Sequence, residues 1–305
     1  MCSSDLNVHA ELREFQYFLK EKKWHSMVQT MTIHGLTYHS SDSSQDSLTV
    51  SIGSLHADNF KISDTELTDG KEWLNTHAWN FSQGKIVWSG RQSKLEIDGI
   101  RIRHDQSFTG GFDRMIYSNT GTRENFWSSA PFEKDFIRLT TGAGSWNQLG
   151  IDWSTDKPSL QVGTLSVEDV NLLTERDKTR PADTVSYRPL LANTIQRIPV
   201  PLIMDTVLLK GGSVRYHEIG LRSGKEGKLL IDSLNGWIYN IRNHDFESND
   251  TLTVRVHASL YSQGEARVNF RQSYTDSLQG FRMRIRLANF SMPGMNALQI
   301  GRAHV

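Results

Sequence analysis

The sequence predicts a mainly β, elongated fold with two short helical segments. Three observations carry that prediction. Period-two alternation of apolar and polar residues recurs along most of the chain, and reaches its clearest form in Phe281-Arg282-Met283-Arg284-Ile285-Arg286-Leu287. The phrase Ile52-Gly53-Ser54-Leu55-His56-Ala57-Asp58-Asn59-Phe60-Lys61-Ile62 returns without gaps as Val162-Gly163-Thr164-Leu165-Ser166-Val167-Glu168-Asp169-Val170-Asn171-Leu172, with apolar residues at the first, fourth, sixth, ninth and eleventh positions of both. A looser echo follows at Leu230 to Ile238. Repeated sheet-building phrases favour a stack of modules over one globule.

Taken in order, the elements are these. Val8, Leu12, Phe15 and Leu19 fall at helical spacing, with Glu11, Arg13, Lys20 and Lys22 between them, and predict an amphipathic helix over residues 8 to 22. Leu48, Val50 and Ile52 then alternate with Ser and Thr. Leu95 and Ile97 alternate with Lys94, Glu96 and Asp98, and Ile100 and Ile102 with Arg101 and Arg103. Gly99 stands where the parity changes, as a bulge requires. The charged stretch Glu175 to Asp183, with Pro181, predicts a linker or long surface loop, and a division is expected near residue 180. A short helix is expected over Tyr187 to Gln196, before Pro199 and Pro201 lead into strand. Leu252, Val254, Val256, Ala258 and Leu260 form one apolar row, Val268 and Phe270 with Ala266 another, and Phe281, Met283, Ile285 and Leu287 a third. Antiparallel strands joined near Ser262-Gln263-Gly264 and Asp276 to Gly280 account for them.

Composition excludes several classes. The chain has 305 residues, 34 Lys+Arg against 34 Asp+Glu and one cysteine. Zero formal charge without a dense basic stripe argues against a general nucleic-acid binder. No window approaches the ~18 apolar residues of a membrane span. The ends carry their own signal: Met1 to Leu6 and Gln299 to His304 are encodable by reverse-complementary DNA, codon for codon. Residues 1 to 6 and 300 to 305 are therefore expected to derive from a sequencing adapter, leaving an internal fragment of two segments, 7 to 180 and 181 to 299. Without Cys2 the natural part has no cysteine, which fits an oxidising compartment and many reducing ones.

Catalytic or metal chemistry has little footing. No HExxH is present, and His34 and His39 are expected on opposite faces of a strand, so no metal site is assigned. Gly142-Ala143-Gly144-Ser145 lacks the further glycine or the Gly-Lys-Ser/Thr of a phosphate loop and reads as a connection. Glu96 and Asp98 share a strand face and form the one carboxylate pair that a hydrolase would use, but Arg101 and Arg103 are near enough to balance them. Six of the eight tryptophans lie between Trp73 and Trp153, with Trp79, Trp88, Trp127 and Trp146 between those two. They suit either a glycan-stacking surface or packing on a thin sheet. The arginines at 282, 284 and 286 suit anionic headgroups, nucleic acid, or a solvated outer face.

The run Ile203 to Glu218, with Lys210-Gly211-Gly212 and Tyr216-His217-Glu218, precedes Gly227 to Ile241 with Leu234-Asn235-Gly236-Trp237-Ile238. The alternating strands follow, and then Ala288-Asn289-Phe290-Ser291-Met292-Pro293-Gly294-Met295-Asn296. In that order these residues resemble the AsmA-like family of bacterial envelope proteins, well over residues 186 to 299 and more loosely over 46 to 175. The resemblance implies a long curved antiparallel sheet, a repeating β-groove. It also implies a non-enzymatic, cofactor-free role in phospholipid transport and outer-membrane biogenesis. The parent would be periplasmic and anchored in the inner membrane by an N-terminal helix outside this fragment. Its partners would be phospholipid acyl chains rather than nucleic acid. The residues expected to line the groove are Leu252, Val254, Val256, Ala258, Leu260, Val268, Phe270, Phe281, Met283, Ile285 and Leu287. The alternative is a surface-exposed glycan-binding or adhesin-like module. A closed β-sandwich would show the same alternation, so the sequence leaves open trough and sealed core undivided.

Overall fold

The computed structural model describes residues 3–20, 23–41, 46–63, 78–105, 107–152, 159–184, 189–198, 200–276 and 280–291. They form one 15-stranded sheet and two short helices, so the mainly β prediction holds. The strands are β1 (Ser3–Lys20), β2 (Lys23–Ser41), β3 (Ser47–Ser63), β4 (Trp79–Ser89), β5 (Ser93–His104), β6 (Phe108–Phe112), β7 (Arg114–Asn119), β8 (Asp135–Thr141), β9 (Gly144–Asp152) and β10 (Ser159–Asp177). They continue as β11 (Leu202–Ile219), β12 (Glu226–Arg242), β13 (Thr251–Leu260), β14 (Gly264–Ser273) and β15 (Phe281–Ala288). The helices are α1 (Arg123–Ser128) and α2 (Leu191–Ile195).

The main path runs β1-β2-β3-β4-β5-β6-β9-β10-β11-β12-β13-β14-β15. β7 and β8 continue the lines of β6 and β9, so that β5 pairs with both β6 and β7, and β10 with both β9 and β8. Neighbours are antiparallel throughout, with one exception. β10 and β11 pair in parallel from Leu160 with Leu202 to Asp177 with Ile219. A parallel pair needs a crossover, and the chain from Lys178 through α2 to Pro201 provides it. The linker or surface loop expected over residues 175 to 183 starts later: Glu175 to Asp177 are strand, 178 to 184 are turn and loop, and β10 pairs with β11 across the expected division.

The expected helix over residues 8 to 22 is instead β1, paired with β2 from Ser3 opposite Ser41 to Lys20 opposite Lys23. Phe, Tyr and Val are residues that a pleated neighbour holds well, and pairing with β2 outweighs a local helical spacing. The second helix is real but shorter than predicted, Leu191–Ile195, with Tyr187 outside the described residues.

A seam of irregular residues crosses the sheet. It passes through Gly35 (φ 65°), Gly53, Gln83 (φ 56°), Gly99 (φ 68°), Asp113, Gly142, Asp169 (φ 51°), Gly211 (φ 61°) and Ser233 (φ 51°). A left-handed residue in a strand changes which face the next side chain occupies. In the C-terminal half a second seam passes through Gln148 (φ 52°), Gly163, Asp205 and Asn240 (φ 58°). The repeated phrase gains its physical meaning here. The apolar spacing of three, two, three and two matches this: left-handed Asp169 brings Val170 onto the face of Leu165 and Val167, and Gly163 stands opposite left-handed Gln148 on β9. The two copies also share a kind of partner: Gly53 packs under Gln83 of the following strand, and Gly163 under Gln148 of the preceding one, both left-handed glutamines.

One face is therefore apolar over much of the sheet. Ile100, Phe112 and Val167 are buried on it, with Phe81, Ile86, Ile97, Ile102, Met115, Trp146, Leu165, Val170 and Leu209 half-buried around them. Among the described residues no second sheet covers it. The chain exposes 18666 Å², whereas a compact monomer of its mass would expose roughly 13,000 Å². Among the described residues the core is a single layer, which is why so much of it is only half-buried.

Candidate functional site

The C-terminal strands carry the predicted apolar rows, and their register brings these rows together. Val254 is opposite Phe270 and Phe270 opposite Met283; Val256, Val268 and Ile285 form the next line, and Ala258, Ala266 and Leu287 the one after. Leu252 heads a line through Gln272 to Phe281, and Leu260 pairs with Gly264. All eleven predicted residues thus share one face. Their exposure rises toward the sheet edge. Val254, Val256, Ala258, Leu260, Val268 and Phe270 are half-buried, whereas Phe281 (51%), Met283 (51%), Ile285 (61%) and Leu287 (41%) are exposed on β15, the last strand. The Phe270 and Phe281 rings stack at 5.5 Å between centroids.

Leu252 is the exception, and its assignment as a surface-lining residue is corrected. It is fully buried beneath α2, in a cluster with Ala192 and Tyr274 that Ile238, Ile241 and Phe246 surround. Gln272 anchors the helix: its Oε1 accepts from the Ala192 amide at 2.9 Å and its Nε2 donates to Asn193 Oδ1 at 3.0 Å. One end of the apolar face is thereby closed by α2. At the other end, where β8, β10 and β11 finish, the same face turns ionic. Arg176 holds Asp135 at 2.5 Å, the Tyr216 hydroxyl donates to Glu218 at 2.6 Å, and Lys178 reaches Glu218 at 2.9 Å. Burial, reinforced by Glu218, pushes the Tyr216 hydroxyl up, so it stays a donor.

The remaining apolar lining was missed as a continuous surface. Trp146, Leu165, Val170 and Leu209 lie on strands whose parity changes midway, so no uninterrupted alternation advertised them. The available signal was the spacing of three, two, three and two in the repeated phrase.

The polar face places the other candidates. Glu96 and Asp98 do share a face, but their partners are not Arg101 and Arg103. Lys85 reaches both, at 2.5 and 3.0 Å, Lys94 reaches Glu96, and Arg114 reaches Asp98 at 2.6 Å. Arg101 pairs with Asp113, and Arg103 with Asp105. Lys85 and then Lys94 hold the Glu96 carboxyl below its usual range, and Arg114 and then Lys85 do so for Asp98. A general acid needs the opposite shift. A depressed folded-state pKa contributes stability above the unfolded value near ~4, and this stability fades as pH falls through the folded value. Lys85→Met is therefore expected to narrow the stability difference between neutral and acidic pH. The expected narrowing is about 0.5 kcal/mol or less after solvent screening, read from urea midpoints.

His34 and His39 lie on the same face, not on opposite ones, because left-handed Gly35 reverses the parity between them. They are not brought together, and His39 hydrogen-bonds Thr49 at 2.9 Å. Trp79, Trp88 and Trp146 are half-buried on the apolar side. Trp127 is buried in α1 on the other side, its Nε1 donating to the Lys134 carbonyl. None of these four forms an exposed stacking platform, and Trp73 and Trp153 lie outside the described residues.

Sequence reading did not anticipate the group formed by Glu175, His217 and Glu226, whose ligand-capable atoms lie within 4.8 Å of one another. The Arg123 guanidinium already occupies it, 2.8 Å from Glu175 and 3.6 Å from Glu226. It acts as an ionic clasp that ties α1 to the ends of β10, β11 and β12. Its members are distant in sequence, so only the sheet register assembles them. No protein-family model, curated protein or solved structure matches this chain.

Proposed function

We propose that the apolar face shelters lipid acyl chains, and that the chain is part of a non-enzymatic envelope protein of AsmA-like type. It would move phospholipid between inner and outer membranes in outer-membrane biogenesis. The observation that carries this reading is the single-layered sheet: a continuous apolar face with no second sheet over it among the described residues. Each methylene held out of water is worth about 0.8 kcal/mol, so a continuous apolar surface lowers the barrier to moving an acyl chain between membranes. The polar face, with its arginines, asparagines and serines, keeps such a sheet in water.

The test is a photo-crosslinking amino acid placed at Ile285 or at Arg284 in a parent protein expressed in cells of a Gram-negative host. Phospholipid adducts are expected at Ile285 and not at Arg284. Equal labelling at the two adjacent positions, which face opposite ways, would overturn the reading.

A further inference from the structure

The polar face of the last three strands carries a lattice of arginines. Their register sets Thr253, Arg271 and Arg282 in one line, Arg255, Asn269 and Arg284 in the next, and His257, Arg267 and Arg286 in the third. Six of these nine positions are arginine in a chain of zero formal net charge. Arg267 reaches Glu265 at 3.6 Å and Arg255 lies over the Tyr239 ring. Arg271, Arg282, Arg284 and Arg286 have no ion-pair or hydrogen-bond partner among the described residues. Arg271 stands directly opposite Arg282, and Arg267 opposite Arg286. Like charges facing each other across a strand pair destabilise it, and a layer of bound anions would remove that cost.

We propose that this face docks on an anionic phospholipid bilayer, its guanidinium groups on headgroup phosphates; the inference rests on the acyl-chain reading above and adds where the lipid is exchanged. Sheet geometry spaces the arginines about 5 Å apart across strands and about 7 Å along them, a planar array suited to a planar field of phosphates. Guanidinium pairs with phosphate in a bidentate fork. The same β15 that presents Arg282, Arg284 and Arg286 also presents the exposed row Phe281, Met283, Ile285 and Leu287 on its other side. Docking turns that row away from the headgroups, but β15 is the last strand of the sheet path, so an acyl chain passes between bilayer and apolar face around its edge, across the thickness of one sheet. A nucleic acid would have no use for that row. The nearby aromatic rings Trp237 and Tyr239 are engaged by His257 and Arg255 rather than open to bases.

The experiment is vesicle flotation of the full chain with phosphatidylcholine alone and with phosphatidylcholine plus phosphatidylglycerol. The expected result is salt-sensitive binding to the anionic vesicles only. The triple variant Arg282→Gln, Arg284→Gln, Arg286→Gln is expected to bind at least about tenfold more weakly. The corresponding Arg→Lys triple, which keeps the charge and loses the fork, should bind more tightly than the Gln triple and more weakly than wild type, and denaturant midpoints confirm that both are folded. Undiminished binding by the Gln triple, equal binding to neutral vesicles, or preference for single-stranded nucleic acid over anionic vesicles would each overturn the proposal. Uptake of a fluorescent fatty acid separates the two readings. Wild-type protein that binds anionic vesicles but takes up no fatty acid loses the acyl-chain role and keeps the docking face, whereas uptake without vesicle binding does the reverse.

Discussion

Leu252→Ala is expected to destabilise the protein by about 2–5 kcal/mol, the range for emptying a fully buried leucine site. Leu252 has no exposed surface and sits between the sheet and α2, among Ala192, Tyr274, Ile238 and Phe246. The five-residue α2 is far too short to persist alone. Its position depends on the packing of Ala192 on this cluster and on the two hydrogen bonds with Gln272, one accepted from the Ala192 amide and one donated to Asn193. A cavity beneath it removes the packing, and the surrounding strands cannot collapse to fill the space because the sheet ladder fixes them. Besides a lower denaturant midpoint, faster hydrogen exchange is expected at the amides of Thr194 and Gln196, which close the helix. Leu260→Ala, at the half-buried end of the same strand, is the comparison. Equal losses for the two variants would mean that α2 does not seal the sheet.

Gly111→Val is expected to cost about 3 kcal/mol or more, among the larger effects of single substitutions. A Cβ at Gly111 would run into the carbonyl oxygen of Gly144, a backbone atom that cannot rotate aside. The crowding is mutual: a Cβ at Gly110 would meet the Arg101 carbonyl, and one at Gly144 the Phe112 ring. These glycines let β6 approach β5 and β9 at the point where the N-terminal and C-terminal halves of the sheet join. Losing that contact should expose β6, Phe108–Phe112, to limited proteolysis as well as lowering the denaturant midpoint. Gly150→Ala provides the contrast, since its new Cβ would make an ordinary contact at 3.6 Å with Gln161. If both substitutions were equally mild, the close approach of β6 and β9 would be refuted.

The strands nearest the C-terminus were legible because their alternation is uninterrupted. From Leu252 to Leu260 and from Phe281 to Leu287 no residue leaves the ordinary extended conformation, so period two in the sequence is period two on the sheet. Gly99 was legible for the opposite reason: the visible parity change around it had one local cause. The first strand was misread because helical spacing over a short window is weak evidence against a long paired neighbour. The histidine pair was misread because a glycine between them turned the chain over.

By itself the sequence determined that this chain is a mainly β protein with one greasy and one wet side to its C-terminal strands, since alternation is a covalent property of neighbouring residues. Tertiary structure alone decided which rows meet. It set the parallel β10–β11 pair and the seams that hold an interrupted pattern on a common face. It also brought together the arginine lattice and the clasp around Arg123. The physical reason is that pairing register depends on contacts between residues tens of positions apart. Whether an apolar row is sealed or open depends on what lies above it, which no single strand encodes.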